Sequence, residues 1–381
     1  MSVIELLAKS EFALRTVSSM LPPSLVVRSF TAARNVFLPR FAVDVPRQSF
    51  EPPQDQSVNA WGLQFRMPIW NAAGMFKKGH GYEMVAAQGA GAFVAGTTTS
   101  RARRGNIVRG IAWPSTQYPL SHSASNWMGL PNEGHATVAA RLAKIQKVDA
   151  CPLVASVSAE PGLEAAVALP ELLEGMRRYD DAGVDYIELN ESCPNVPGHA
   201  GHASVDDELL RRLDTVATQF LAQRRRRLPV VVKLSTDTSL EQLPELIKAL
   251  VERSFDGVIL GNTSTRYNAL REQVHPDDRK LFDYFTSMYG GGISGALLRA
   301  SSLASCAAAV RAVDNCGPHH EFNVIRCGGV AAADDIAASA FVGVHLNQWY
   351  VGYFEAFAQH GHDVYRELSA CMRPTLARTE S

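Results

Sequence analysis

One cysteine in this chain lies among side chains that could hold a small polar ligand. Residues 188–198 read ELNESCPNVPG and place Cys193 between Asn190 and Asn195. A free thiol has a pKa of ~8.5, so modest tuning lets it act as a base near neutral pH. Asparagine supplies both donors and acceptors, and further asparagines at Asn126 and Asn262 suit a planar ligand with imide and amide edges, such as a pyrimidine.

Other classes of chemistry are disfavoured by the same residues. The six cysteines include no C-x-x-C pair, which argues against a zinc ribbon or an iron–sulfur cluster on this chain. No carboxylate or histidine recurs at several strand ends, so we expect no metal site and no glycosidase chemistry. A cysteine other than Cys193 is most simply a small buried hydrophobe.

The elements that must position these residues alternate between strand and helix from about residue 60. Predicted helices follow at 170–182, 203–223, 240–253 and 332–341. Eight short apolar runs rich in Val, Ile or Leu are typical of strands buried on both faces: PIWNAAG, GAFVAGTTT, PLVASVS, VDYIELN, PVVVKLS, DGVILGNT, NVIRCGG and GVHLNQWY. The pattern predicts an α/β fold, a (β/α)8 TIM barrel, with a doubly wound open sheet as the alternative. No G-x-G-x-x-G follows the first strand, which counts against a dinucleotide-binding sheet.

Polar residues stand at the carboxyl end of nearly every predicted strand, where barrels carry their chemistry. A buried polar group without a partner costs ~1–3 kcal/mol, so a ring of them implies a polar ligand. Two glycine-rich segments, 290–295 (GGGISG) and 327–329 (CGG), each precede a helix and could cradle a phosphate. Lys77 and Lys233 at strand ends could place a positive charge beside a flavin ring or a substrate anion.

Residues 1–50 form a separate region, a small N-terminal amphipathic helical extension, and residues 51–381 form the catalytic barrel. One apolar stripe comprises Val3, Leu6, Leu7, Leu14 and Val17, and a second comprises Val26, Phe30, Ala33 and Phe37. Residues 21–24 (LPPS) separate the two helices, with Ser24 as the expected N-cap. The extension is basic, so it could lie on a membrane surface, or it could pack on the barrel.

Composition sets the remaining limits. The chain has 381 residues, 46% of them hydrophobic, and a formal net charge of -1, which gives no global field for nucleic acid. No run of about 18 apolar residues predicts a transmembrane helix, and no signal peptide is recognisable. We therefore expect a cytoplasmic protein, peripheral on the inner face of a membrane if residues 1–45 bind lipid. Oligomeric state is left open, with a homodimer as one option.

Several motifs together resemble one family. NWMGLPNEG, ELNESCPNVPG, VVVKLS, VILGNTS, GGGISGALLR and IRCGG match, in order and spacing, the dihydroorotate dehydrogenases, which are FMN-dependent barrels of pyrimidine biosynthesis. The cysteine motif resembles the soluble branch of that family. The helical extension and AAGMFKKG, with Lys77, resemble the membrane-associated branch, which uses a serine base and passes electrons to a quinone.

The resemblance implies oxidation of dihydroorotate to orotate, with FMN as cofactor. It makes Cys193 the general base, with Lys77 beside flavin and orotate. The residues implied to surround the substrate are Asn126, Met128, Gly129, Leu130, Asn190, Asn195, Asn262 and Thr263. Those implied to hold FMN are Ala73, Gly74, Lys77, Thr97, Ser156, Asn190, Lys233, Gly295, Gly328, Gly329, Tyr350 and Val351.

The electron acceptor is left open between a quinone, fumarate and a partner subunit. Three departures from the family pattern bear on the site: Phe76 replaces an aspartate, Glu191 adds a negative charge beside the base, and Arg326 precedes the glycine pair. The alternatives are a flavoenzyme acting on another dihydropyrimidine and a catalytically silent, membrane-docked barrel.

Overall fold

Eight parallel strands form the centre of the molecule in the computed structural model, which describes residues 1–18, 20–192 and 207–379. The strands are β1 (Ile69–Asn71), β2 (Phe93–Thr98), β3 (Leu153–Val157), β4 (Tyr186–Asn190), β5 (Val230–Leu234), β6 (Gly257–Leu260), β7 (Asn323–Cys327) and β8 (Leu346–Trp349). Their order in the sheet is β1-β8-β7-β6-β5-β4-β3-β2.

The barrel closes between β1 and β2 through a side chain. The Asn71 amide donates from Nδ2 to the Val94 carbonyl (2.9 Å) and accepts from the Val94 N–H (3.2 Å). A bridge between Phe76 and Ala95 continues this contact. The closure confirms the predicted (β/α)8 barrel and rules out the open sheet.

Most of the helices cover the outside of the barrel and bury their apolar faces against it. Those after the extension are α3 (Tyr82–Ala87), α4 (His135–Leu142), α5 (Ala165–Asp181), α6 (Asp207–Gln219), α7 (Leu243–Glu252), α8 (Tyr267–Arg271), α9 (Arg279–Tyr289), α10 (Arg299–Cys316), α11 (Ala333–Phe341), α12 (Val351–His360) and α13 (Val364–Thr379). Helix α5 begins five residues before the predicted start, with Pro170 inside it. Residues 296–316 are long and apolar enough to cross a membrane, yet α10 packs on α7 and β7 as a barrel helix.

Short antiparallel strands add to the barrel. Val58–Ala60 and Leu63–Phe65 form a hairpin before β1. Ser115–Tyr118, Ser123–Asn126 and Gly292–Gly295 form a three-stranded sheet, called here the mouth sheet. Ala102–Arg103 pairs with Asn132–Glu133, and Ile107–Val108 pairs with Ile111–Ala112.

The extension forms two helices, α1 (Val3–Ser18) and α2 (Pro23–Phe41), that pack on the barrel. Helix α1 lies against α12 and buries Ile4 and Ala8. Helix α2 lies on the mouth sheet, where the Thr31 hydroxyl accepts from the Ser115 N–H and donates to the Ser115 carbonyl, both at 3.0 Å. The expected cap at Ser24 is wrong, because α2 begins at Pro23, whose fixed φ suits the first helical turn.

Phe41, at the end of α2, is the main apolar anchor of the extension. Its side chain is fully buried and stacks on Phe76 at a ring distance of 6.0 Å. Phe76 in turn contacts Phe93 of β2 at 5.0 Å. The aromatic residue at position 76 therefore connects the extension to the barrel wall.

A hydrogen-bonded cluster anchors the other end of the extension. His362 bonds to Asp44 through Nε2 (2.9 Å) and to the Gln88 amide through Nδ1 (2.8 Å). The Glu5 carboxylate accepts the His362 backbone N–H at 3.0 Å. Both ends of the extension are thus tied to the α12–α13 side of the barrel.

Candidate active site

A cavity of about 800 Å³ opens at the carboxyl ends of the strands and continues between α1 and α2. Its two ends differ in chemistry. The end in the barrel is lined by polar side chains such as Lys77, Thr97 and Asn190. The end in the extension is lined mainly by apolar side chains, among them Leu7, Leu14 and Phe30. One continuous space therefore joins a polar chamber to an apolar passage.

Hydroxyl and amide groups from three strands meet on one wall of the polar chamber. The Thr97 hydroxyl bonds to the Ser156 hydroxyl (2.8 Å) and accepts from the Asn190 amide (2.8 Å). These three residues end β2, β3 and β4, whose carboxyl ends lie at the same rim. Two contacts fix the orientation of the Asn190 amide. Its Nδ2 donates to Thr97, and its Oδ1 accepts from the Ser192 N–H at 3.2 Å.

A lysine held inside the barrel supplies positive charge to the chamber. Lys233 of β5 lines the cavity, and its amine donates to the Gln348 carbonyl at 3.0 Å. The Gln348 amide donates to Glu188, which the Tyr186 hydroxyl also contacts at 3.3 Å. Burial raises the pKa of Glu188, while the charge of Lys233 opposes that rise. The network keeps the Lys233 amine in place and partly offsets its charge.

A second group of polar residues lies where β4 and β6 end. The Asn262 amide donates to the Ser192 hydroxyl at 2.9 Å, and the Asn262 N–H donates to Thr236 at 3.2 Å. The Thr263 hydroxyl, which lines the cavity, has no hydrogen-bond partner within the described part of the chain. A buried hydroxyl in this state is available to a bound ligand.

Lys77 approaches the chamber from the segment after β1. The Lys77 amine lies beside Gly74, at 3.4 Å from where a Cβ would stand, and Gly74 has a φ of +98°, which favours glycine. Cys327 also lines the cavity, but burial raises the pKa of its thiol. A neutral thiol is a poor base, so Cys327 is not suited to proton abstraction.

The glycine turn after β7 and the start of α12 lie together beside the chamber, which Cys327, Tyr350 and Val351 line. Among the described residues, the N–H groups of Gly328, Gly329 and Val330 have no hydrogen-bond partner. The first turn of α12 packs directly against this segment, since a side chain at Gly352 would lie 2.5 Å from the Val330 carbonyl. Glycine turn and helix start together form a cradle suited to a phosphate group.

The structure brings most of the predicted site residues to this cavity. Those that line it are Ala73, Gly74, Lys77, Thr97, Asn126, Met128, Leu130, Asn190, Lys233, Asn262, Thr263, Tyr350 and Val351. Ser156, Gly129, Gly295 and Gly328 lie beside lining residues instead, and Gly329 is one residue further from the cavity. Cys193 and Asn195 are outside the described residues, so their roles remain predictions.

Two departures from the family pattern have a structural explanation. Glu191 forms an ion pair with Arg212, at 2.9 Å and with both side chains buried, so its charge is balanced there. Arg326 points away from the chamber, and its guanidinium donates to Ser302, Ser339 and two backbone carbonyls. The Arg326 guanidinium is therefore engaged by the protein itself and holds α10 and α11 against β7.

Two residues on the cavity wall were not expected from the sequence. Arg34 of α2 donates to the Tyr350 hydroxyl at 2.6 Å. Gln117 of the mouth sheet has a buried carbonyl oxygen without a partner in the described residues. The basic character of the extension was a signal for Arg34, but it suggested a lipid surface rather than a site residue.

Comparison with known proteins gives a consistent result. The sequence model of the family described as dihydroorotate dehydrogenase matches residues 56–372. A dihydroorotate dehydrogenase (quinone) of Parvibaculum lavamentivorans is 26% identical over 80% of this chain and 79% of its own length. That of Methylococcus capsulatus is 29% identical over 77% of this chain and 80% of its own length. The fold is similar to Eimeria tenella DHODH in complex with ferulenol, with a TM-score of 0.75, 20% identity and 92% of both chains covered.

Proposed function

We propose a mechanism for this chain, which belongs to the dihydroorotate dehydrogenase family. Its reaction is the oxidation of dihydroorotate to orotate in pyrimidine biosynthesis. The flavin is FMN, Cys193 is the general base, and a quinone accepts the electrons. The observation that carries the proposal is the continuous cavity from the polar chamber to the passage between α1 and α2.

The residues present fit FMN. The glycine turn at Gly328 and the first turn of α12 offer N–H groups to its phosphate, while Lys233, Thr97 and Asn190 offer a cation, a hydroxyl and an amide to its ring. Bound FMN would accept the hydride from C6 of dihydroorotate. Denaturing the purified protein and identifying the released flavin by chromatography tests this: FMN is expected, and FAD or no flavin would contradict it.

The substrate is held by asparagines in the same chamber. Asn126, Asn190 and Asn262 line it, and their amides can pair with both the carbonyl and N–H edges of the pyrimidine ring. Cys193 follows directly after Ser192, whose hydroxyl contacts Asn190 and Asn262. Its thiolate would take the proton from C5 as the hydride leaves C6.

Exchanging Cys193 tests the base. Cys193→Ala should keep yellow flavin and orotate binding and lose at least ~100-fold of turnover, the usual contribution of a general base. Cys193→Ser should retain some activity at raised pH, since a serine hydroxyl is harder to deprotonate than a thiol. Cys327→Ala is the matched control, because that thiol lies in the same cavity but is neutral. Near-normal turnover of the Cys193→Ala variant would end the assignment.

The apolar passage supports a quinone as acceptor. Its walls come from α1 and α2 and end at the chamber, which suits a ligand with a polar head and an apolar tail. The two named relatives carry quinone in their names. Fumarate is a small dianion, and apolar walls offer it no favourable contacts.

The outer face of α1 supports contact with a membrane, where quinones dissolve. Val3 and Leu6 of α1 are exposed by 72% and 51%, and Met20, just after α1, is exposed by 85%. We expect the intact protein to sediment with liposomes, and a chain lacking residues 1–45 to stay in solution and lose quinone reduction. Full quinone reduction by the shortened chain would refute this part of the proposal.

A further inference from the structure

Arg34 links the extension to both halves of the catalytic chamber. Its Nη2 donates to the Tyr350 hydroxyl at 2.6 Å and lies 3.7 Å from the sulfur of Met128. Tyr350 follows β8 and Met128 follows the mouth sheet, and both line the cavity. A cation from α2 thus stands where the apolar passage meets the polar chamber.

Part of this guanidinium is still available to a ligand. Within the described part of the chain, Nε and Nη1 of Arg34 make no hydrogen bond. Other cations on the wall are engaged elsewhere or lie outside the junction: Arg15 pairs with Glu11, and Arg40 is exposed and donates to the Val36 carbonyl. Arg34 therefore presents N–H donors and a positive charge to the cavity.

The adjacent mouth sheet carries polar atoms that also lack partners. The Thr116 hydroxyl and the Gln117 carbonyl oxygen are buried, line the cavity and have no partner among the described residues. Thr31 fixes α2 to the same strand, so these groups and Arg34 belong to neighbouring elements. Both groups line the same cavity as Arg34 and are available to the polar end of a ligand.

We propose that Arg34 is the residue that recognises the electron acceptor, by donating to a carbonyl oxygen of the quinone head. This inference depends on the proposed quinone acceptor. In the overall reaction dihydroorotate loses two electrons and two protons to become orotate, and the quinone gains them, so that each carbonyl oxygen becomes a hydroxyl. Negative charge develops on those oxygens during reduction, and the guanidinium stabilises it without reorganisation.

The test compares three variants of the full-length, flavin-loaded protein. Arg34→Met removes the donors, and Arg34→Lys keeps the charge but loses the planar fork. Arg28→Met is the control, since Arg28 is exposed on the same helix and is not among the cavity-lining residues. Three quantities are measured: the Kd of decylubiquinone for the oxidised protein, by quenching of tryptophan fluorescence; the KM for decylubiquinone; and the rate at which dihydroorotate bleaches the flavin.

Arg34→Met is expected to raise both the Kd and the KM for decylubiquinone by about 10- to 100-fold, the effect of losing a hydrogen bond to a charged group. Its bleaching rate should stay within about twofold of the wild type, because the guanidinium acts on the acceptor. Arg34→Lys should recover part of the loss, and Arg28→Met should match the wild type.

Three results would overturn the inference. A decylubiquinone Kd that is unchanged in Arg34→Met shows that the guanidinium does not bind the acceptor. A bleaching rate that falls as far as the KM rises shows that Arg34 only holds Met128 and Tyr350 in place. A fourth variant, Tyr350→Phe, is measured in the same way, and if it reproduces the whole loss, recognition belongs to the tyrosine hydroxyl. A different result would show that the proposed quinone acceptor itself is wrong: dihydroorotate bleaches the wild-type flavin, but decylubiquinone neither binds to the wild-type protein nor restores the colour of its flavin.

Discussion

Replacing Phe41 by alanine should uncouple the extension from the barrel. The side chain is fully buried and contacts five aromatic rings, at centroid distances of 5.5 Å (Phe37), 6.0 Å (Phe76), 5.9 Å (Tyr353), 5.6 Å (Phe354) and 5.0 Å (Phe357). A buried Phe→Ala change costs ~3–5 kcal/mol, and aromatic pairs add to area burial, so we expect the upper half of that range.

Urea unfolding measures this loss directly. A slope of ~3 kcal/mol per molar urea, the upper end of the range for small proteins, is a lower bound for this longer chain, so a loss of ~4 kcal/mol lowers the midpoint by at most ~1.3 M. Val43→Ala is the matched control, since Val43 lies two residues away and is 67% exposed, and it should change stability by less than ~0.5 kcal/mol.

The Phe41→Ala variant should also separate the two half-reactions. Because α2 forms one wall of the apolar passage, quinone reduction should fall further than bleaching of the flavin by dihydroorotate. A midpoint shift below ~0.3 M, or ~1 kcal/mol at that slope, would refute the view that this aromatic cluster holds the extension on the barrel. Equal losses in both half-reactions would refute its role in forming the passage.

Three further predictions concern buried charges. Lys233→Met should destabilise the fold by ~1–3 kcal/mol in urea unfolding, because it removes the buried donor to Gln348 and the nearby cation that favours the Glu188 carboxylate, and adding Glu188→Gln should restore part of the loss; an additive double variant would contradict the coupling. Burial lowers the pKa of His135 to about 4, whereas the unfolded chain titrates near ~6.5. The unfolded state then binds more protons, so stability should fall by up to ~3 kcal/mol between pH ~6.5 and ~4, and His135→Gln should lose that slope; an unchanged slope would contradict it. Arg212→Met should cost ~3 kcal/mol by leaving Glu191 unpaired, and a second change, Glu191→Gln, should recover stability; no recovery would show that Arg212 acts through packing.

The barrel could be predicted from the sequence because its strands are buried on both faces. Val230–Leu234 is entirely buried, and a short run composed mostly of Val and Leu is typical of a strand that is covered on both faces. The site followed from the same reasoning, since polar residues at the carboxyl ends of parallel strands meet at one rim. Asn190 and Lys233 were predicted in this way and line the cavity.

Contacts between distant segments could not be predicted in this way. Arg34 and Tyr350 are separated by 316 positions, and their meeting depends on how α2 lies on the mouth sheet. Periodicity places an arginine on a helix face but does not tell which neighbour covers that face. The sequence left open whether the extension packs on the barrel or lies on a membrane surface, and one helix can do both. Ile4 and Ala8 of α1 pack on the barrel, while Val3 and Leu6 of the same helix are exposed.

Anaerobic reduction and reoxidation of the flavin tests the central claim most directly. Dihydroorotate is added to the purified yellow protein, and decylubiquinone, fumarate and NAD are then offered to separate samples. We predict that dihydroorotate bleaches the flavin band and that only decylubiquinone restores it rapidly. A flavin that dihydroorotate does not bleach, or that fumarate or NAD restores faster than decylubiquinone, would contradict the account.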